Sequence, residues 1–174
     1  MRDLEIRQIV LTGVMIALVA VFTLAIRVPI PATTGYFNLS DVAIYFAAFT
    51  FGPWIGLAAG GVGTAIADAI GFPPFILISL VAHGGEGLVA GYIGRGRSTP
   101  LMLLGWLIGA IVMLFTYFVA ELMWFGGLPA ALTELPFNII QNVAGGIVAI
   151  PLVFAVRRAY PPVTQWAQPR AWRE

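Results

Sequence analysis

Apolar residues fall in long runs along this chain, and the breaks between runs carry most of its proline, glycine and charge. A helix that crosses a membrane needs about 20 mostly apolar residues. The first run covers residues 9–26 and is ended by Arg27, Pro29 and Pro31. A loop rich in proline and threonine follows over 28–38. The second run, 39–51, is short and breaks at Gly52-Pro53. The third covers 54–70, the fourth 75–93 and the fifth 101–125, separated by Gly71-Phe72-Pro73-Pro74 and by the basic turn Arg95-Gly96-Arg97. Gly126, Gly127 and Pro129 predict a loop that reaches Glu134, and the sixth run covers 135–156, closed by Arg157-Arg158. The pattern predicts an all-α integral membrane protein: six transmembrane helices within residues 1–160, then a polar tail, 161–174, without regular structure.

Composition agrees. Hydrophobic residues make up 60% of the chain and charged residues only 10%, against about a quarter charged in a soluble domain. So few charges cannot cover a globule, so lipid must replace water around most of it. There is no cysteine, which excludes disulfides and thiol chemistry. No small-residue cleavage site follows the first run, which therefore reads as a retained helix.

The cations fix an orientation. All nine are arginines, and six spans place Arg2, Arg7, Arg95, Arg97, Arg157, Arg158, Arg170 and Arg173 on one side, with Arg27 alone opposite. Positive charge collects in the cytoplasm, so both termini are expected there and the loops at 28–38, 71–74 and 126–133 are expected to face outward. A five-helix reading would split the arginine clusters across the membrane. The acids distribute differently: Asp41, Asp68, Glu121 and Glu134 lie near outward helix ends, and Glu86 lies deeper with His83.

Small residues mark close helix contacts. Gly56, Gly60, Gly61 and Gly63 crowd the third helix, and Gly105 and Gly109 make a GxxxG in the fifth. Gly13 and Ala17, with Ala20 near the same face, make a small-residue stripe on the first. Each reads either as internal packing or, on the first helix, as a docking surface for another membrane subunit.

Ionisable groups at membrane depth point to function or pairing. His83 and Glu86 lie one turn apart on one face; they either line a ligand cavity or brace two helices. Glu134, Asn138, Gln141 and Asn142 form one polar stripe on the sixth helix. Its amides suit the donors and acceptors of a heterocycle, or the free backbone groups at a glycine break. Tyr117, Glu121 and Trp124 follow at i, i+4 and i+7 on the fifth, where Trp124 could equally sit in an interfacial aromatic belt. Asp68 reads as a cap or loop anchor, and Asp41, after Asn38 and Ser40, as a helix cap. Together these predict an outward-opening pocket among helices four to six, closed by the first loop, with Thr33, Thr34, Tyr36, Phe37 and Asn38 as the lid. With Arg27 the only outward cation, a strongly anionic ligand does not fit.

Other chemistries lack their residues. The single histidine rules out an H-E-x-x-H zinc site, and His83 with Glu86 would need carboxylates or amides to complete any metal shell, which suits zinc poorly. No phosphate-binding P-loop is present, so no ATP is hydrolysed here by that route, and no inverted repeat of the secondary-transporter kind is evident.

The stretch Gly35-Tyr-Phe-Asn-Leu-Ser-Asp-Val-Ala-Ile-Tyr-Phe-Ala-Ala-Phe-Thr-Phe-Gly-Pro-Trp54, the run Gly60-Gly-Val-Gly-Thr-Ala-Ile-Ala-Asp68, and His83-Gly-Gly-Glu-Gly-Leu-Val-Ala-Gly-Tyr-Ile-Gly94 resemble the S components of energy-coupling factor (ECF) transporters, over about residues 8–158. The nearest likeness is to the riboflavin, hydroxymethylpyrimidine or pyridoxine branch. The resemblance implies the six-helix S-component fold. It implies a vitamin or precursor bound from outside, without cofactor or metal, and docking on a membrane coupling subunit with two cytoplasmic ATPases. Gly13-x-x-x-Ala17 stands where the family carries its A-x-x-x-A docking motif. The family's ligands bind in the outer half, among helices four to six and the first loop. Two other classes stay in view: a small intramembrane enzyme using His83 and Glu86 as acid and base, and a purely structural subunit.

Overall fold

The computed structural model describes residues 2–31, 33 and 35–165. Among these lie six α-helices: α1 (Arg2–Ala25), α2 (Ser40–Phe51), α3 (Pro53–Gly71), α4 (Ile76–Gly94), α5 (Thr99–Ala120) and α6 (Gly127–Ala159). All but α2 are long and apolar enough to cross a membrane. At 1.5 Å per residue, α2 is only about 18 Å long, against a hydrocarbon core of about 30 Å.

The short helix is the hub. Every residue of α2 except Phe46 is buried. It packs against α1, α3, α4 and α6. Tyr45 and Phe49 stack at 5.7 Å within a cluster that takes in Ala90, Met102 and Val153. Its C-terminal end meets two cations, which suit the carbonyl-rich end of a helix: Arg157 Nη2 donates to the Phe49 carbonyl at 2.7 Å, and the Arg95 side chain lies against Gly52. Gly52 adopts φ 107°, a left-handed conformation that glycine takes at little cost, and this turns α2 directly into α3.

Glycine decides how closely α3 and α4 approach. A Cβ at Gly87 would strike the Gly56 backbone, and one at Gly60 would strike the His83 carbonyl. Gly105 and Gly109 of α5 face the carbonyls of Ala90 and Glu86 at 2.9 and 3.0 Å from an ideal Cβ. The GxxxG of the fifth helix is therefore internal packing. On α1 the picture divides: Gly13 and Ala17 are exposed and a Cβ at Gly13 meets nothing within 4 Å, whereas Ala20 is buried. Ala20 is thus not part of the exposed small-residue surface expected from its spacing.

Three expectations change. The loop expected before Glu134 is helical from Gly127 onward, because Pro129 sits in the first turn, where its missing N–H has no intrahelical partner to lose. The tight turn is confined to Gly126 and Gly127, at φ 140° and 73°. The fifth helix ends in a π-turn, Glu121–Phe125. The tail continues as a 3₁₀ turn, Pro161–Gln165, with Val163 buried in the cluster around Met15 and Ala47; the rest of the tail, and Thr34 of the expected lid, lie outside the described residues. The first loop contains a small antiparallel hairpin, β1 (Val28–Pro29) with β2 (Tyr36–Phe37), pairing Val28 with Phe37.

Gly87→Val should lower the thermal midpoint of the purified protein in detergent, because overpacking a tight contact costs about 1–3 kcal/mol. Gly13→Val, facing open space, should leave the midpoint within about 1 °C of wild type, since open surface positions tolerate change.

Candidate functional site

The entry into α2 organises a buried polar network. The Asn38 side chain accepts from Ser40 N–H at 2.7 Å, while Asn38 N–H donates to Gln141 Oε1 at 2.9 Å. Gln141 Nε2 then donates to Asp41 Oδ1 at 3.1 Å. Asp41 is therefore not the helix cap expected from its position. It is fully buried, and its Oδ1 also takes the Ser40 hydroxyl at 3.3 Å and lies 3.5 Å from His83 Nδ1. His83 Nδ1 pairs with Glu86 Oε2 at 2.8 Å, and Asn142 Nδ2 donates to Glu86 Oε1 at 2.7 Å. Tyr45 donates to Asn142 Oδ1 at 3.0 Å, and Trp106 Nε1 donates to the Asn142 carbonyl at 3.1 Å.

Periodicity explains why α6 can do this. Its polar residues 134, 138, 141 and 142 share one stripe, and Gly145 and Gly146, one turn further, let the helix close onto Asp41 and Trp106. Both oxygens of Glu86 are satisfied, as burial demands. Asp41, His83 and Glu86 bring ligand atoms within 4.8 Å of one another and could together hold a divalent cation. In this arrangement they bond to one another and to the amides, and only Asp41 Oδ2 lacks a partner.

Beside the network lies a narrow cavity of about 10 Å³, room for about one water. Tyr36, Asn38, Phe75, Tyr117, Asn138 and Gln141 line it, together with Gly35, Ser79 and Glu134. Tyr117 bonds to the Ser79 hydroxyl at 2.7 Å and meets the His83 ring edge-on at 5.6 Å, linking cavity to network.

Aromatic rings close one side. Phe75 stacks on Phe125 at 4.5 Å, lies 5.3 Å from Phe72 and 6.2 Å from Tyr117, and Phe72 meets Tyr36 edge-on. Tyr36 is held on both faces of its chemistry: the Arg27 guanidinium sits 4.4 Å over its ring, and its hydroxyl donates to Asp68. Arg27 in turn donates to the Ala67 carbonyl at 3.3 Å. Burial first, and the Asp68 charge second, push the Tyr36 phenol well above its ordinary range, so the phenol remains the donor. Thr33 stabilises the loop itself, donating to the Ile30 carbonyl and accepting from Gly35 N–H.

The expected site residues thus separate. Tyr36, Asn38, Tyr117, Asn138 and Gln141 line the cavity. His83, Glu86 and Asn142 form the network behind it. Phe37 stands in the hairpin, half-buried. Glu121 is buried, but Trp124 is 68% exposed and flanks an apolar groove between α4 and α5 instead. The π-turn is the reason: its wider winding breaks the i, i+4, i+7 register, keeping Tyr117 and Glu121 inward while Leu122, Met123 and Trp124 turn out. Sequence reasoning missed Tyr45, Phe75 and Ser79 as site residues and read Asp41 as a cap. Asp41 and Tyr45, four apart on a helix whose only other polar residues are Ser40 and Thr50, were the available sign.

Asn142→Leu should destabilise the protein by about 1–3 kcal/mol, the penalty for stranding buried polar partners, here Glu86 and Tyr45. Chemical denaturation in detergent would measure it.

The chain is similar to known proteins along most of its length. A family profile described as "ECF-type riboflavin transporter, S component" matches residues 3–158. An uncharacterised protein of Pyrococcus woesei is 37% identical over 148 residues, 84% of this chain and 99% of that one. The thiamine precursor transporter HmpT of Lactococcus lactis subsp. cremoris (strain MG1363) is 31% identical over 151 residues, 86% of this chain and 87% of its own. A solved structure described as the S component of a bacterial ECF transporter superposes with a TM-score of 0.73 at 24% identity, covering 89% of this chain and 98% of that one.

Proposed function

This chain belongs to the ECF-type riboflavin transporter S-component family, and from that premise we propose that its cavity captures a single-ring aromatic heterocycle of the vitamin-precursor class. S components are substrate-binding subunits of transporters rather than enzymes, so the chain is a multi-pass plasma-membrane subunit that serves uptake of a vitamin or precursor with an ECF module.

The observation that carries the ligand class is the lining of the cavity. Three rings, Tyr36, Phe75 and Tyr117, meet the amides of Asn38, Asn138 and Gln141 in one closed space. Such a mixture of apolar walls and a few oriented polar groups is how small-ligand pockets combine affinity with specificity. A flat ring stacks on the aromatics, and the amides read its edge. Among single-ring vitamins and precursors, hydroxymethylpyrimidine and pyridoxine offer both such a face and such an edge. The printed name of the Lactococcus relative points the same way. Riboflavin is the second reading, favoured by the description of the family profile.

To admit a ligand, the hairpin must lift. Its fastening is the Tyr36 ring between Arg27, Phe72 and Asp68. We take both termini to be cytoplasmic, which eight of nine arginines support, so that the hairpin faces outward. The exposed Gly13 and Ala17 of α1 would meet the membrane coupling subunit, with two cytoplasmic ATPases supplying energy.

Mass spectrometry of small molecules released from the purified protein should recover a pyrimidine, pyridine or flavin at near-stoichiometric amounts. Nothing recovered, and no thermal shift across a vitamin panel, would sink the capture reading. Asn138→Ala should weaken binding about tenfold, the worth of one good hydrogen bond, while Trp124→Ala should leave affinity unchanged. Gly13→Leu should keep ligand affinity and lose co-purification with the ECF module.

Tyr36→Phe should speed ligand release, read by stopped-flow fluorescence, because the ring stays and the bond to Asp68 goes. The same latch sets a pH dependence. A phenol whose folded pKa is raised contributes fully below its ordinary value of about 10, and that contribution is lost as pH rises through the raised value. Ligand retention by the wild type should therefore show no Tyr36-dependent loss between about pH 6 and pH 9.

A further inference from the structure

The cavity has an acidic edge with no cation among the residues that line it. Glu134 lines it, is 3% exposed, and its Oε1 has no hydrogen-bond partner. Its carboxyl packs directly on Gly35 of the hairpin loop, where a Cβ would collide with it. Glu121, at the start of the π-turn, is 1% exposed and in contact with the Glu134 carboxyl, and among the described residues no N–H or hydroxyl donates to either of its oxygens. The Asp41–His83–Glu86 network is different, since its amides satisfy most of its oxygens.

No residue lining the cavity is basic. Arg27, the cation of the first loop, is engaged with the Tyr36 ring and the Ala67 carbonyl. A buried carboxyl without donors is costly and is retained where something supplies them. Two facing carboxyls at the margin of an aromatic cavity call for a partner with several N–H donors in one plane, which a carboxylate accepts as a paired fork.

We propose that Glu134, supported by Glu121, recognises an amidinium-type edge on the captured heterocycle: a ring nitrogen that takes up a proton from water on binding, beside an exocyclic amine, so that both N–H groups donate to the carboxylate. This deepens the capture reading and rests on it. The edge reads 4-aminopyrimidine-like rings and rejects the 4-oxo counterparts, whose carbonyl oxygen would face a carboxylate oxygen. Contact between Glu134 and Gly35 places this recognition directly under the hairpin, so that the matching ring and the closing loop meet the same carboxyl.

The test compares 4-amino-5-hydroxymethyl-2-methylpyrimidine with its 4-oxo analogue by isothermal titration on the intact wild-type protein in detergent or nanodiscs. The amino compound should bind at least tenfold more tightly. Glu134→Gln should lose that preference or reverse it, because an amide can donate to the oxo oxygen; Glu121→Gln should narrow it. Equal affinity for the two rings in the wild type would overturn the proposal while leaving capture intact, whether or not the variants fold. An oxo preference in the wild type would overturn it too. Binding of neither ring, with a flavin bound instead, would overturn the amidine edge but keep capture. Binding of no heterocycle at all would overturn both.

Discussion

A carboxylate at membrane depth must have partners close at hand, and the central helices of this chain are arranged around that requirement. Asp41 of α2 and Glu86 of α4 are both fully buried. Their donors come from elsewhere: Gln141 and Asn142 of α6, and His83 one turn before Glu86. Neither acid could occupy its place unless α6 presented its amide stripe toward α2 and α4. The network therefore specifies which face of α6 points inward, a choice that lipid-soluble side chains alone would leave weakly determined. Gln141 extends the constraint to the loop by accepting from Asn38 N–H. The same residue lines the cavity, so helix orientation, loop position and ligand contact are joined through one amide.

A second requirement, close backbone approach, is met on the other side of the bundle. Glycines bring α3 and α4 into direct contact along Gly56, Gly60 and Gly87, while Gly63 receives Val19 of α1. This leaves α1 attached through α2 and α3 and exposes its remaining surface to the surroundings. The two requirements divide the labour. Polar pairing organises the half that contains the cavity, and glycine packing organises the contacts of α3 with α4 and α1.

Much of this was legible in the chain. Run lengths located the spans, and the resemblance in residues 35–54, 60–68 and 83–94 placed the fold. The stripe on α6 and the His83–Glu86 pair marked the polar centre, because such residues are rare enough in apolar helices to stand out. What escaped has physical causes. Asp41 follows Asn38 and Ser40, a sequence typical of a helix start, and only the approach of α6 shows that its carboxyl turns inward. Trp124 was misplaced because regular winding was assumed across a π-turn, which no local composition announces. The helical start at Gly127 was hidden by Pro129, a residue that breaks helices except in their first turn. The hairpin in the first loop depends on pairing between residues seven and nine apart, with turn residues that favour many conformations.

The brevity of α2 has a consequence for how this architecture diversifies. A helix of 12 residues stops well short of the membrane's full depth, and the hairpin loop that precedes it lies over its N-terminal end, beside the cavity. The cavity is thus bounded by a connecting loop and neighbouring helices, and its lining residues Glu134, Asn138 and Tyr117 are separate from the glycine seam at Gly56, Gly60 and Gly87. Side chains around the recess can therefore change one at a time while the backbone contacts that hold the bundle together stay as they are, so a single scaffold can present recesses of different shape and polarity.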